Sequence, residues 1–153
     1  MTRINVVPVQ ELSDQWLRAE YRELPRCILQ NINTDGAPKK YKLGAGHMKW
    51  AKNHTLFLVE RFFDLVSEIK FRGFTANYNP DELASYAWDT TLKKDYNYYQ
   101  TDDQDIRLNR GRLIERYAAK PNFYRWTNRT KPDYLKIVDD VKNSTFKFLN
   151  GNH

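Results

Sequence analysis

Three stretches of this chain repeat their apolar residues at helical spacing, with polar and charged residues between them. The first runs from about Ser13 to Gln30, where Leu17, Tyr21, Leu24 and Ile28 stand three and four residues apart. Such a stripe predicts a helix, with Ser13 or Asp14 as its N-cap. Pro25 falls inside the pattern and removes one backbone hydrogen bond, so a kink is expected there. The second stretch, about Lys49 to Arg72, carries Leu56, Val59, Phe62, Phe63, Val66 and Ile69, and Gly73 supplies the stop. The third starts from a cap among Asp102, Asp103 and Asp105, turns Ile106, Leu113, Ile114 and Tyr117 to the core, and ends before Pro121.

Between these stretches the period lapses. Residues 31–46, NINTDGAPKKYKLGAG, collect turn formers and lysines, and predict a loop that delivers a tight Gly-Ala-Gly turn into the second helix. Two glycines are too weak a signal for a phosphate loop. The tyrosine-rich residues that follow Gly73, up to about 100, predict a long connection with one short helix near Asp81 to Trp88. After Pro121 comes NFYRWTNRTKPDY, aromatic and basic, then a charged tail from Leu135 with room for another short helix. No internal repeat is evident. The expected fold is all-α: a single compact domain over residues 1–153, with three principal helices, long connecting loops, and residues 132–153 as a C-terminal extension.

Composition narrows the class. A chain of 153 residues can bury a core without disulfides or metal, and 41% hydrophobic with 29% charged residues describes a globular protein with a heavily charged surface. No apolar run approaches the roughly 18 residues of a membrane span, and the start lacks the apolar run of a signal peptide. A soluble cytoplasmic protein without membrane contact is expected. The single Cys27 excludes an internal disulfide or a zinc site of paired cysteines, and reads as a small buried hydrophobe. His47, His54 and His153 lack the i, i+4 spacing of helix-borne ligands. Neither metal nor cofactor is expected. Net charge +6 and a pI near 9.4 point to a polyanionic partner, nucleic acid first.

The cations are patterned. On the first helix Gln15, Arg22 and Arg26 fall within about 40° of one another, Arg18 and Glu23 flank them, and the apolar stripe lies opposite. Arg18, Arg22 and Arg26 repeat at i, i+4, where like charges cost a few tenths of a kcal/mol per pair. A phosphate backbone docked along the stripe would repay that cost through bidentate guanidinium contacts; acidic neighbours such as Glu20 would also offset it. The last helix repeats the arrangement, with Asn109, Arg112 and Arg116 expected on its outer face and Lys120, Arg125, Arg129 and Lys131 beyond. Interleaved Phe123, Tyr124 and Trp126 would either pack against nucleic acid or close the core.

Five segments add a resemblance. MTRIN, AEYRELPR, LGAGH, RGF and RLIERYAAKPNFY stand in this order within residues 1–126, and together they resemble the phage pyrimidine-dimer glycosylases of the endonuclease V type, which repair ultraviolet damage. Thr75 to Gln100 and the tail after Thr127 depart from that pattern, and Trp16 stands where the family has histidine. The resemblance implies that removal of Met1 exposes the α-amino group of Thr2, the nucleophile that attacks C1′ of a damaged nucleotide. An α-amino group has a reference pKa near 8, against about 10.4 for lysine, so much of it is neutral at physiological pH. Attack gives a Schiff base, then β-elimination of the 3′ phosphate.

In that picture Glu23 is the catalytic carboxylate, stabilising the imino sugar and assisting proton transfers, although a salt bridge to Arg26 would also account for it. Arg22 and Arg26 hold phosphates at the reaction site, and Arg3 fixes the N-terminus, which packs against the first helix. Arg112, Arg116, Lys120, Tyr124 and Arg125 match residues that face DNA, and Gln15 and Arg18 complete the first helix's DNA face. The implied substrate is double-stranded DNA with damaged pyrimidines or abasic sites, sharply kinked and with a base turned out of the stack. The expected enzyme is a monomeric bifunctional glycosylase and lyase, cytoplasmic in the host cell if phage-encoded. A non-catalytic DNA-binding protein using the same basic faces is the alternative.

Overall fold

The computed structural model describes residues 4–136. Its helices are α1 (Asp14–Leu29), α2 (His47–Lys52), α3 (Thr55–Phe71), α4 (Pro80–Thr90) and α5 (Asp103–Ala119), with 3-10 turns at Val9–Glu11 and Lys93–Asp95. No strand occurs among the described residues, so the fold is all-α as expected. None of the described helices is long and apolar enough to cross a membrane. Residues 133–136 are helical where the expected tail begins, and the rest of the 132–153 extension, beyond residue 136, lies outside the described residues.

Local chemistry sets the helix ends. Ser13 caps α1, its hydroxyl accepting from the Trp16 amide at 3.2 Å, and α1 runs on through Pro25. The second predicted helix divides in two. His54 leaves helical geometry (φ −126°, ψ 51°), while the Asn53 carbonyl accepts from Asn97 Nδ2 at 2.8 Å, which takes an acceptor out of the helical ladder. α3 then ends as the sequence predicts: Gly73 has φ 86°, and the Gly73 and Phe74 amides donate to Lys70 O and Ile69 O at 3.0 Å each. The short helix expected near Asp81 is a fourth substantial element, capped by Asn79 with Pro80 in its first turn. Asp102 and Asp105 form a capping box on α5 and both pair with Lys40.

α1 and α3 pack antiparallel. Arg72, just past the end of α3, reaches Asp14 at the start of α1 at 3.0 Å, and α4 lies against both. Leu17, Leu24, Ile28, Leu58, Phe62, Leu65, Ile69 and Leu113 are fully buried between the helices. Leu58 and Leu65, outside the predicted stripe, belong to the core, whereas Leu56 is half-buried and Phe63 exposed. α3 is covered by α1 on one side and α4 on another, so its buried arc is broader than a single stripe.

The N-terminal segment has no helix or strand to satisfy its backbone; side chains do so instead. The amides of Val6 and Val7 both donate to Asn109 Oδ1, at 2.7 and 3.1 Å, and Asn109 Nδ2 donates to Asn5 Oδ1 at 2.9 Å. Arg61 donates to Val7 O at 2.8 Å, and Asn5 to Glu20 at 2.8 Å. Two sequence expectations change here. Asn109 is fully buried instead of lying outside with Arg112 and Arg116. Glu20 is buried against Arg61, so it does not offset the arginine stripe from the surface.

Candidate functional site

Exposure along α1 follows from its packing. With Trp16, Leu17, Glu20, Tyr21, Leu24, Cys27 and Ile28 buried, Arg18, Arg22 and Arg26 are left on the solvent side at one turn each. Arg26 is 63% exposed and donates from Nη1 to Glu23 Oε1 at 3.2 Å, while the Glu23 side chain is 21% exposed. The site therefore offers a half-buried carboxylate beside a row of guanidinium groups. The Arg18 guanidinium also lies 4.9 Å from the centroid of the Phe74 ring. A cleft of about 430 Å³ opens beside the row, lined by Arg18, Tyr21, Arg22, Ile69, Thr75, Asn77 and Tyr78. Tyr21 shapes it by accepting the Tyr78 amide at 2.9 Å.

The second basic face borders the start of α1. Tyr117 stacks edge-on against Trp16 at 5.7 Å between ring centroids, and its hydroxyl accepts the Ser13 amide at 3.0 Å. Beyond α5, the Asp14 amide donates to Arg125 O at 2.7 Å. Gln15 grips the same turn from both ends of its amide: Nε2 donates to Phe123 O at 3.0 Å and Oε1 accepts from Arg125 N at 3.3 Å. Gln15 thus ties the aromatic-basic segment to α1. Arg116, Lys120 and Arg125 are exposed, Arg112 is 25% exposed, and Lys120 sits 5.3 Å from the Phe123 ring. Tyr124 packs on Tyr117 at 4.4 Å and Trp126 at 5.5 Å, so these two rings close the core, whereas Phe123 is exposed.

Thr2 and Arg3 lie outside the described residues. The nearest described residue, Ile4, is held through both backbone groups. Its amide donates to His47 Nε2 at 3.1 Å, and its carbonyl accepts the Tyr41 hydroxyl at 2.9 Å. Burial raises the Tyr41 hydroxyl far above its ordinary pKa, so it remains a donor. Nothing local in the sequence announces this clamp, because Tyr41 and His47 are some forty residues from Ile4 and Asn109 is about a hundred from Val6. The nearest signal is LGAGH, whose two glycines take left-handed conformations, Gly44 with φ 72° and Gly46 with φ 87°, and bring His47 around to face the N-terminal segment.

A comparison with protein families finds one whose model, described as pyrimidine dimer DNA glycosylase, matches residues 1–84, more than half of the chain. The match spans the N-terminal segment and α1 to α3; α5 and its basic face lie beyond it.

Proposed function

The chain belongs to the pyrimidine dimer DNA glycosylase family, a family of DNA repair enzymes, and on that premise we propose that it excises cyclobutane pyrimidine dimers through the α-amino group of Thr2 and cleaves the resulting abasic strand as a lyase. The observation that carries this reading is the course of the N-terminal segment. Val9 O and Gln10 O lie near Arg72 and hence near the start of α1, Asn5 meets Glu20, and Ile4 meets α2, which touches Cys27 through Met48. Read from Gln10 back to Ile4, the chain follows α1 toward its C-terminal half and heads for the turn bearing Glu23 and Arg26. Two residues span about 7 Å at most, and on this reading the Thr2 amine lies within that reach of the Ile4 anchor.

The neutral amine attacks C1′, the damaged base leaves with its bonding electrons and takes up a proton, and the imino-sugar cation forms. Glu23 stabilises that cation and assists removal of the C2′ proton, after which the 3′ phosphate departs. Arg22 and Arg26 hold flanking phosphates, with Arg3 beside the amine, and the resulting positive field favours the neutral amine. Arg18, Arg112, Arg116, Lys120 and Arg125 extend the contact along the duplex, Tyr124 supports them from its half-buried place on Tyr117, and Gln15 contributes by holding the 123–125 segment in place. The chain acts as a monomer and draws on no metal or cofactor in these steps.

Incubating the protein with dimer-containing or abasic duplex and borohydride should trap a covalent adduct on the peptide that begins at residue 2. Binding without any adduct would leave a DNA-binding protein that performs no chemistry.

A further inference from the structure

We propose that His47 and Tyr41 are positioning residues for the N-terminal amine, acting through the backbone of Ile4; the inference rests on Thr2 being the nucleophile. Ile4 is fully buried, yet neither of its backbone polar groups joins a helix or sheet. A buried amide or carbonyl left without a partner is costly, so the two side chains that satisfy Ile4 decide where it sits. They approach it from opposite polarities. His47 accepts from the Ile4 amide and Tyr41 donates to the Ile4 carbonyl, so the pair holds both polar groups of one residue at once.

The protonation state of His47 follows from its partners. Nδ1 lies 2.8 Å from Lys42 O, which can only accept, so Nδ1 carries the proton and Nε2 keeps the lone pair that receives the Ile4 amide. The ring is itself immobilised. It stacks on Trp50 with an interplanar angle of 22° and meets the Tyr41 ring edge-on at 5.8 Å, while Trp50 is fully buried against Tyr41, His54, Phe57 and Tyr99. Gly46 sets the approach. Its φ of 87° is one that side chains rarely adopt, and a Cβ there would meet Pro38 Cγ at 3.0 Å.

The clamp therefore ties the residue two positions from the nucleophile to a buried aromatic cluster. A primary amine at a chain end gains its rate only if it is held near the attack geometry, where displacement by about 1 Å costs on the order of 100-fold. Neither His47 nor Tyr41 belongs to the arginine faces, so neither contributes to holding the duplex.

The test separates position from binding. Single-turnover borohydride trapping on an abasic duplex at saturating enzyme would be compared with affinity for a duplex containing an uncleavable tetrahydrofuran abasic analogue. His47→Ala should slow trapping about 10- to 100-fold with analogue affinity within about twofold of the parent. Tyr41→Phe, which removes one oxygen, should slow it about 3- to 10-fold. His47→Gln, whose amide oxygen can take the place of Nε2, should recover trapping to within about threefold. If His47→Ala does not fold, the Tyr41→Phe and His47→Gln pair decides alone. Trapping at the parental rate in folded His47→Ala and Tyr41→Phe would overturn the inference while leaving the amine chemistry standing. A parent protein that forms no adduct on residue 2 would overturn both.

Discussion

At the scale of single residues, two side chains one turn apart on the same face of α1 have opposite fates. Glu20 is buried and permanently engaged with Arg61 and Asn5, whereas Glu23 keeps 21% of its side chain exposed beside Arg26. A carboxylate that stabilises a transient cation must remain reachable by substrate, and Glu23 satisfies that condition where Glu20 does not. Glu23→Gln preserves shape and removes the charge; it should retain binding to damaged duplex while losing strand cleavage by about 100-fold or more. Cleavage of dimer-containing plasmid at the parental rate would remove Glu23 from the mechanism. Asn109 is a different case, since one amide group completes the hydrogen bonding of Asn5, Val6 and Val7. Asn109→Ala leaves two backbone donors and one acceptor buried without partners, and urea unfolding should show a loss of about 2–4 kcal/mol.

At the scale of elements, one carboxylate joins the end of α3 to the segment that follows α5. Glu68 receives Arg72 at 2.9 Å and Arg129 at 2.8 Å, and Arg72 in turn reaches Asp14 on α1. Burial alone would raise the Glu68 pKa, but the hydrogen bonds from Arg129 and Arg72 outweigh it and hold the group below its ordinary value of 4.5. A folded value below the unfolded one gives a contribution to stability that is complete above the unfolded value and is lost as the pH falls through the folded one. Glu68→Gln should therefore be less stable than the parent at pH 7 by about 3 kcal/mol, because buried arginine is left short of a partner. That difference should narrow as thermal melts are taken below pH 4.5. A constant difference across the acid range would deny Glu68 its linkage role.

At the scale of the whole molecule, buried pairing shapes the surface charge. Asp14, Glu20 and Glu68 are buried beside Arg61 and Arg72. Among the described residues buried acids outnumber buried arginines, so the positive excess is carried on the surface, where Arg18, Arg22, Arg26, Arg116, Lys120 and Arg125 are exposed. If the α1 and α5 faces both meet phosphates, about five to eight contacts form, and log affinity for undamaged duplex should fall against log salt with a slope of roughly −5 to −7. At low salt one molecule should then nick many dimers on a plasmid before leaving; at higher salt the nicks should scatter among plasmids while single-turnover chemistry on a short duplex barely changes. Charge-neutralising Arg112 and Arg116 together should imitate high salt. Random nicking at every salt concentration would remove the case for two faces.

Periodicity and capping residues in the sequence were enough for α1, α3 and α5, for the glycine stop after α3 and for the all-α class, because these rest on interactions within a few residues. The same spacing put Arg18, Arg22 and Arg26 on one side of α1, since a helix fixes angular positions locally. The break between α2 and α3 was not legible, because it depends on Asn97 taking the Asn53 carbonyl from a distant loop. Nor was the direction of Asn109. Its angular position on α5 is a local property, but whether that angle meets solvent or protein depends on where residues 5–7 run. The family was readable from short motifs near the chain start. The clamp on Ile4 was decided only by the tertiary structure, because an extended segment without a ladder partner takes its hydrogen bonds from whichever side chains the packed helices bring to it.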